Sequence, residues 1–92
     1  MLSPQASAGL AALRAPVRAE VEDRIETHLR HEPEKTSRSR IKRLRGIHRP
    51  QYRLRVGGVR VYYDVAGERV EILAVMTKEQ ALRWLRGEKE ER

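Results

Sequence analysis

The sequence predicts an α+β domain: an N-terminal helical hairpin packed on a mostly antiparallel sheet of three to four strands, followed by a C-terminal helix. Three observations predict it. Strict alternation through Tyr52, Leu54 and Val56, then through Val59, Val61, Tyr63 and Val65, with Gly57-Gly58 between, marks a β-hairpin. Apolar residues at every fourth position, Val17, Val21, Ile25 and Leu29, mark an amphipathic helix before it. A capping-box pattern, Thr77-Lys78-Glu79-Gln80, opens another helix after it.

The elements follow in order. Ser3 is placed to cap a helix whose first position takes Pro4, where a missing N–H costs nothing, and Ala6, Leu10 and Leu13 form its apolar side. Arg14-Ala15-Pro16 ends this helix near Leu13, because the residue before proline is pushed out of the helical region. A second helix then starts at Pro16, with Glu20–Arg24 and Glu26–Arg30 as favourably ordered i,i+4 pairs. His28 and His31 near its end suit the helix dipole better than a metal site, for which their spacing is wrong. Glu32-Pro33 stops it. Ile41 and Leu44 anchor the otherwise basic segment leading to the hairpin, whose Gly57-Gly58 turn is expected to need positive φ at both residues. A turn at Ala66-Gly67-Glu68 leads to a third strand, Arg69 to about Met76, with Val70, Ile72, Ala74 and Met76 on one face and Leu73 and Val75 on the other. Being apolar on both sides, it is expected inside the sheet. Ala81, Leu82, Trp84 and Leu85 give the last helix its apolar face, and residues 87–92 read as a charged tail.

With 92 residues the chain is read as a single domain over 1–92, and with no Phe and only four aromatics its core must be aliphatic. Absence of Cys excludes disulfides, thiolate metal sites and a thiol nucleophile. No apolar run approaches the ~20 residues of a membrane span, and Met1-Leu2-Ser3-Pro4 does not read as a signal peptide, so a soluble, cytoplasmic protein without a membrane partner is expected.

The net charge of +7 is segregated. Ten cations and no acid lie between Lys35 and Arg60, which leaves the rest of the chain at −3. Such a run can be a merely solvated loop; its continuation onto an alternating strand face favours a polyanion partner. On that face Arg53, Arg55 and Arg60 stand beside Tyr62, a surface suited to phosphate and base. Trp84 reads as a core or interface anchor rather than a base-stacking platform, and Tyr63, on the other alternation, as core.

The segment Lys42-Arg43-Leu44-Arg45-Gly46, the strand Tyr52-Arg53-Leu54-Arg55-Val56 and the run Gly58-Val59-Arg60-Val61-Tyr62-Tyr63, set behind two amphipathic helices, resemble the RelE/ParE family of bacterial toxins from Ser3 to Val75. The resemblance implies the toxin of a type II toxin–antitoxin pair, neutralised by a cognate protein antitoxin. Its RelE branch cleaves mRNA on the ribosome, and its ParE branch poisons DNA gyrase. The expectation drawn is the RelE activity: a ribosome-dependent endonuclease that needs no metal or cofactor, because the ribose 2′-OH attacks the adjacent phosphate. By position, Arg53, Arg55 and Arg60 match the family's basic strand residues and Lys78 its later cation, so these four are the expected catalytic group. Lys42, Arg43, Arg45, Arg49 and Tyr62 are the expected RNA contacts.

Two departures accompany the resemblance. Nucleases of this branch carry a Tyr or His near the C-terminus for proton transfer or stacking, whereas no Tyr or His follows Tyr63 here; Tyr62, Tyr63, His48 and Lys78 are the possible substitutes. That gap keeps open a ParE-like gyrase poison, or a protein that only binds its antitoxin. Family members also open with a strand where this chain has only Met1-Leu2, so the sheet is expected to be one strand short, with an exposed edge, unless that strand lies upstream. Lying on the polar face, Arg60 is expected to tolerate replacement by alanine without unfolding.

Overall fold

Ser3 does what its place before Pro4 demands: its hydroxyl accepts the Ala6 N–H at 3.0 Å and starts α1, Pro4–Ala11. The computed structural model containing this cap describes residues 2–37, 40–46 and 49–90, the side chains of residues 85 and 87–90 excepted. After α1 come α2 (Ala15–Leu29), β1 (Ile41–Arg43), β2 (Tyr52–Val56), β3 (Val59–Ala66), β4 (Arg69–Thr77) and α3 (Lys78–Glu90). Both expected ion pairs lie on α2, Arg24–Glu20 at 3.6 Å and Arg30–Glu26 at 2.8 Å. The capping box forms in both directions, Thr77 N–H to Gln80 Oε1 at 2.9 Å and Gln80 N–H to Thr77 Oγ1 at 3.2 Å. α3 continues through Gly87 to Glu90, beyond the point where a tail was expected.

The strands make one antiparallel sheet in the order β1-β2-β3-β4. At the hairpin turn Gly57 alone has a left-handed φ, 56°, so the positive value sits at the first central position, as in a type II′ turn, and not at both glycines as expected. β4 is terminal in the order rather than interior. Its two-sided apolar character has another cause. Tyr62 pairs with Ala74 but Tyr63 with Ile72, so Leu73 is an extra residue, a bulge that reverses the alternation. Val70, Ile72 and Val75 therefore meet the helical hairpin, while Ala74 and Met76 meet α3.

The bulge also anchors the N-terminal chain. Ser3 N–H donates to Ile72 O at 2.9 Å and Ser3 Oγ to Leu73 O at 2.8 Å, and Leu2 forms a single parallel bridge with Ile72. A single bridge thus stands along β4 in place of the first strand that the resemblance implies. α1 then lies so close to β4 that a Cβ on Gly9 would fall 2.0 Å from Val75 O.

The larger core lies between the hairpin of α1 and α2 and one sheet face, with Val21, Leu54, Val61 and Tyr63 fully buried. Burial of each such aliphatic side chain is worth about 1.5–3 kcal/mol. Tyr63 stacks on Tyr52 with centroids 5.4 Å apart and donates its hydroxyl to Pro33 O at 2.6 Å, which holds the loop after α2 to the sheet. A smaller core of Tyr62, Ala74, Met76 and Ala81, flanked by Leu44 and Trp84, lies on the opposite face under α3. The fold is thus three-layered: helical hairpin, sheet, single helix.

Candidate arginine-rich binding face

Cross-strand register assembles the candidate face row by row. Lys42, Arg53, Tyr62 and Ala74 are paired across the sheet, and Arg55, Arg60 and Met76 form the next row. α3 covers the β3–β4 half of this face and leaves the β1–β2 half to solvent. Lys42 and Arg55 are exposed, and Arg53 is half-buried.

The open aromatic–arginine surface expected from the sequence is therefore only partly present. Tyr62 is 2% exposed, its ring 5.2 Å from that of Trp84 and tilted by 50°. Burial raises its phenol pKa, against the opposing pull of Arg53 and Arg60, so at neutral pH it keeps its proton and is neither a base nor an exposed stacking platform. Arg60 is 8% exposed and turns back on its own hairpin, donating Nη1–H to Gly57 O at 2.9 Å and Val59 O at 3.2 Å. Its expected place on a free polar face is corrected by these bonds, since truncation would strip the turn of a donor.

Electrostatically the three arginines act as one group. Burial lowers the Arg60 pKa first, and the charges of Arg53 and Arg55 lower it further, with Tyr62 and Glu79 opposing weakly. Among the described residues Arg53 Nε is buried without a hydrogen-bond partner. Like charges held together around an unpartnered donor are the arrangement that an anion relieves. Lys78 joins this end of the sheet through its backbone, its N–H donating to Gly58 O at 2.9 Å, and its side chain is exposed.

The remaining expected contacts scatter. Arg49 Nε lies 2.7 Å from Asp64 Oδ2 and its Nη2 is 3.8 Å from Glu71, so its charge is already matched within the fold; the Asp64 carboxylate raises its pKa. Arg43 caps the Tyr52 ring at 5.0 Å, on the face opposite Lys42. Arg45 is exposed beyond β1, and His48 lies outside the described residues.

Two residues with large local roles had not been singled out. Asp64, 8% exposed, accepts from Arg49 and, at 2.7 Å, from Gln51 N–H, while Gln51 Oε1 accepts from Val65 N–H at 2.9 Å. Together they clamp the loop between β1 and β2. The available signal was that Asp64 is the one acid on the alternation carrying Arg60 and Tyr62.

A family model described as the ParE toxin of the type II toxin–antitoxin system, parDE, matches residues 1–82. The chain belongs to the ParE toxin family. The fold of this family member is similar to a chain in the crystal structure of the RelB–RelE antitoxin–toxin complex from Methanococcus jannaschii, with a TM-score of 0.67 and 17% identity over 91% of this chain and 96% of that one. At that identity the likeness concerns the fold alone. No curated protein sequence matches. The expected RelE/ParE architecture is thus observed, with β1 as the fourth strand.

Proposed function

We propose that this ParE-family protein is the toxin of a type II toxin–antitoxin pair, held by a cognate protein antitoxin, and that it acts by binding DNA gyrase and not by cutting RNA. One observation carries the choice of mode. The aromatic of the arginine face, Tyr62, is buried against Trp84 with its pKa raised, so among the described residues the face offers charge without a tyrosine or histidine poised to take a proton. Arginine and lysine are donors and point charges, not bases near neutral pH. Lys42, Arg53 and Arg55 on the uncovered half form an electrostatic footprint that steers association with a negatively charged surface. The match to the ParE model supports this branch, and the similarity to a chain of an antitoxin–toxin complex supports a protein antitoxin.

A second reading, ribosome-dependent mRNA cleavage, draws on the cluster itself. Arg53, Arg55 and Arg60 around the unpartnered Arg53 Nε suit the charge that develops on a phosphate attacked by a 2′-OH. Lys78, beside the hairpin turn, is then the donor left to assist the leaving oxygen.

The purified, folded protein separates the two in parallel reactions: gyrase supercoiling of a plasmid, and translation with 5′ ends mapped on the message. Inhibited supercoiling with an intact message is expected. Message cut at fixed positions on the ribosome, with supercoiling unaffected, would overturn the gyrase assignment.

A further inference from the structure

A cavity of about 170 Å³ opens where the last turn of α2 faces the approach to β1. It lies away from α3, and none of Arg53, Arg55 and Arg60 lines it. His28, His31 and Glu32 line it from α2 and the residues just beyond, and Lys35, Ser37 and Arg40 from the following loop. Glu32 is the one acid in the lining and is 3.7 Å from Lys35, which leaves Arg40 without an acidic partner in the lining. Arg40 forms no ion pair among the described residues.

The wall is built, not incidental. Ser37 Oγ accepts the N–H groups of Arg40 at 3.0 Å and Ile41 at 3.2 Å, and Ser37 N–H donates to Ile41 O at 2.8 Å, so the loop is fastened to the start of β1. The Ser37 hydroxyl proton has no acceptor among the described residues. A guanidinium, an ammonium, two imidazoles and a hydroxyl thus surround one space. Several donors of different shape converging on a volume some multiple of the ~30 Å³ of one water suit a tetrahedral oxyanion, which offers acceptors in every direction.

We propose that this cavity is a second anion site, selective for a phosphate group, supplied either as inorganic phosphate or by a nucleic-acid backbone. Its place favours continuity with the basic face, because Arg55 N–H donates to Arg40 O at 2.8 Å and so puts the cavity one strand from the arginine row. Occupancy is linked to protons. His28 is held below its ordinary pKa of 6.5, by burial first and then by Arg40 and Arg24, with Asp23 opposing. A bound dianion cancels the repulsion from those cations, joins Asp23 in favouring the imidazolium, and so binds more tightly as pH falls.

The test is a titration with sulfate, whose charge is constant through the histidine range, followed by the imidazole NMR signals of His28 and His31. The expected result is saturable movement of both, with chloride at equal ionic strength giving none, and affinity rising from about pH 8 to about pH 6. Arg40→Gln, an exposed position, should weaken sulfate binding at least tenfold, whereas Arg69→Gln, an exposed arginine outside the lining, should leave it unchanged. Shifts that fail to saturate, or Arg40→Gln and Lys35→Gln both titrating like the parent, would overturn the site. Inorganic phosphate and a short single-stranded oligonucleotide are then set to displace sulfate. The stronger competitor identifies the source, and displacement by neither rejects phosphate selectivity. None of these readouts depends on gyrase or ribosome assays.

Discussion

Replacing Gly9 by alanine tests how α1 is seated on β4. The added methyl would lie 2.0 Å from Val75 O and 3.0 Å from its carbonyl carbon, both backbone atoms, where ordinary contact begins at 3.4 Å. Neither side has a flexible end that could yield, so the helix must retreat by roughly 1 Å or more in an interior packed like an organic crystal. That retreat strains the bonds from Ser3 to Ile72 O and Leu73 O, each worth about 1 kcal/mol, and loosens Ala6 and Leu10 from the core. Overpacking of this type costs about 1–3 kcal/mol. Alanine recovers about 1 kcal/mol of helix propensity. With both bonds lost and the propensity gain subtracted, the net loss of about 2–4 kcal/mol should lower the melting temperature by roughly 8–30 °C in a domain of this size. Circular dichroism melts of the two proteins measure it. A variant as stable as the parent, or more so, would refute the close approach of α1 to β4.

Asp64→Ala leaves Gln51 N–H without its acceptor and should cost about 1–3 kcal/mol in urea denaturation, while Arg55→Ala, at an exposed position, should stay within about 0.5 kcal/mol. Trp84→Ala uncovers Tyr62. Because Trp84 is half-buried, the expected loss is about 1–3 kcal/mol, seen as amide exchange accelerating in α3 while the β2–β3 amides stay protected. His28 makes stability depend on pH. With its folded pKa below 6.5, the unfolded chain binds more protons between the two values, so stability rises with pH through that window and is fully regained above 6.5. His28→Gln should flatten that slope in melts recorded across the window.

Most of the architecture was legible because local rules and packing agree. Ser3, the α2 ion pairs and the Thr77–Gln80 box each satisfy a backbone or charge requirement visible within four residues. The hairpin alternation was legible for the same reason. β1 was not read as a strand, because its three residues carry one apolar side chain and it exists through pairing with β2, not through its own pattern. The apolar run from Ile72 to Met76 hid the phase reversal at Leu73, since an uninterrupted run has no alternation to read. At the candidate site the charges were legible and their environments were not. Whether Tyr62 faces water depends on where α3 lies, and whether Arg49 is free depends on Asp64, fifteen residues away. Such distant partners leave no periodic trace.

The proposed gyrase binding rests most directly on the uncovered half of the arginine face as the target-binding surface. The deciding measurement is the affinity of purified gyrase for the parent protein and for the double variant Arg53→Gln, Arg55→Gln, over a series of salt concentrations, with matched melting temperatures as the control for folding. At least a tenfold weaker binding by the double variant, with a shallower salt dependence, is predicted. Equal affinity and an unchanged salt slope would contradict the account and move the target-binding surface elsewhere on the molecule.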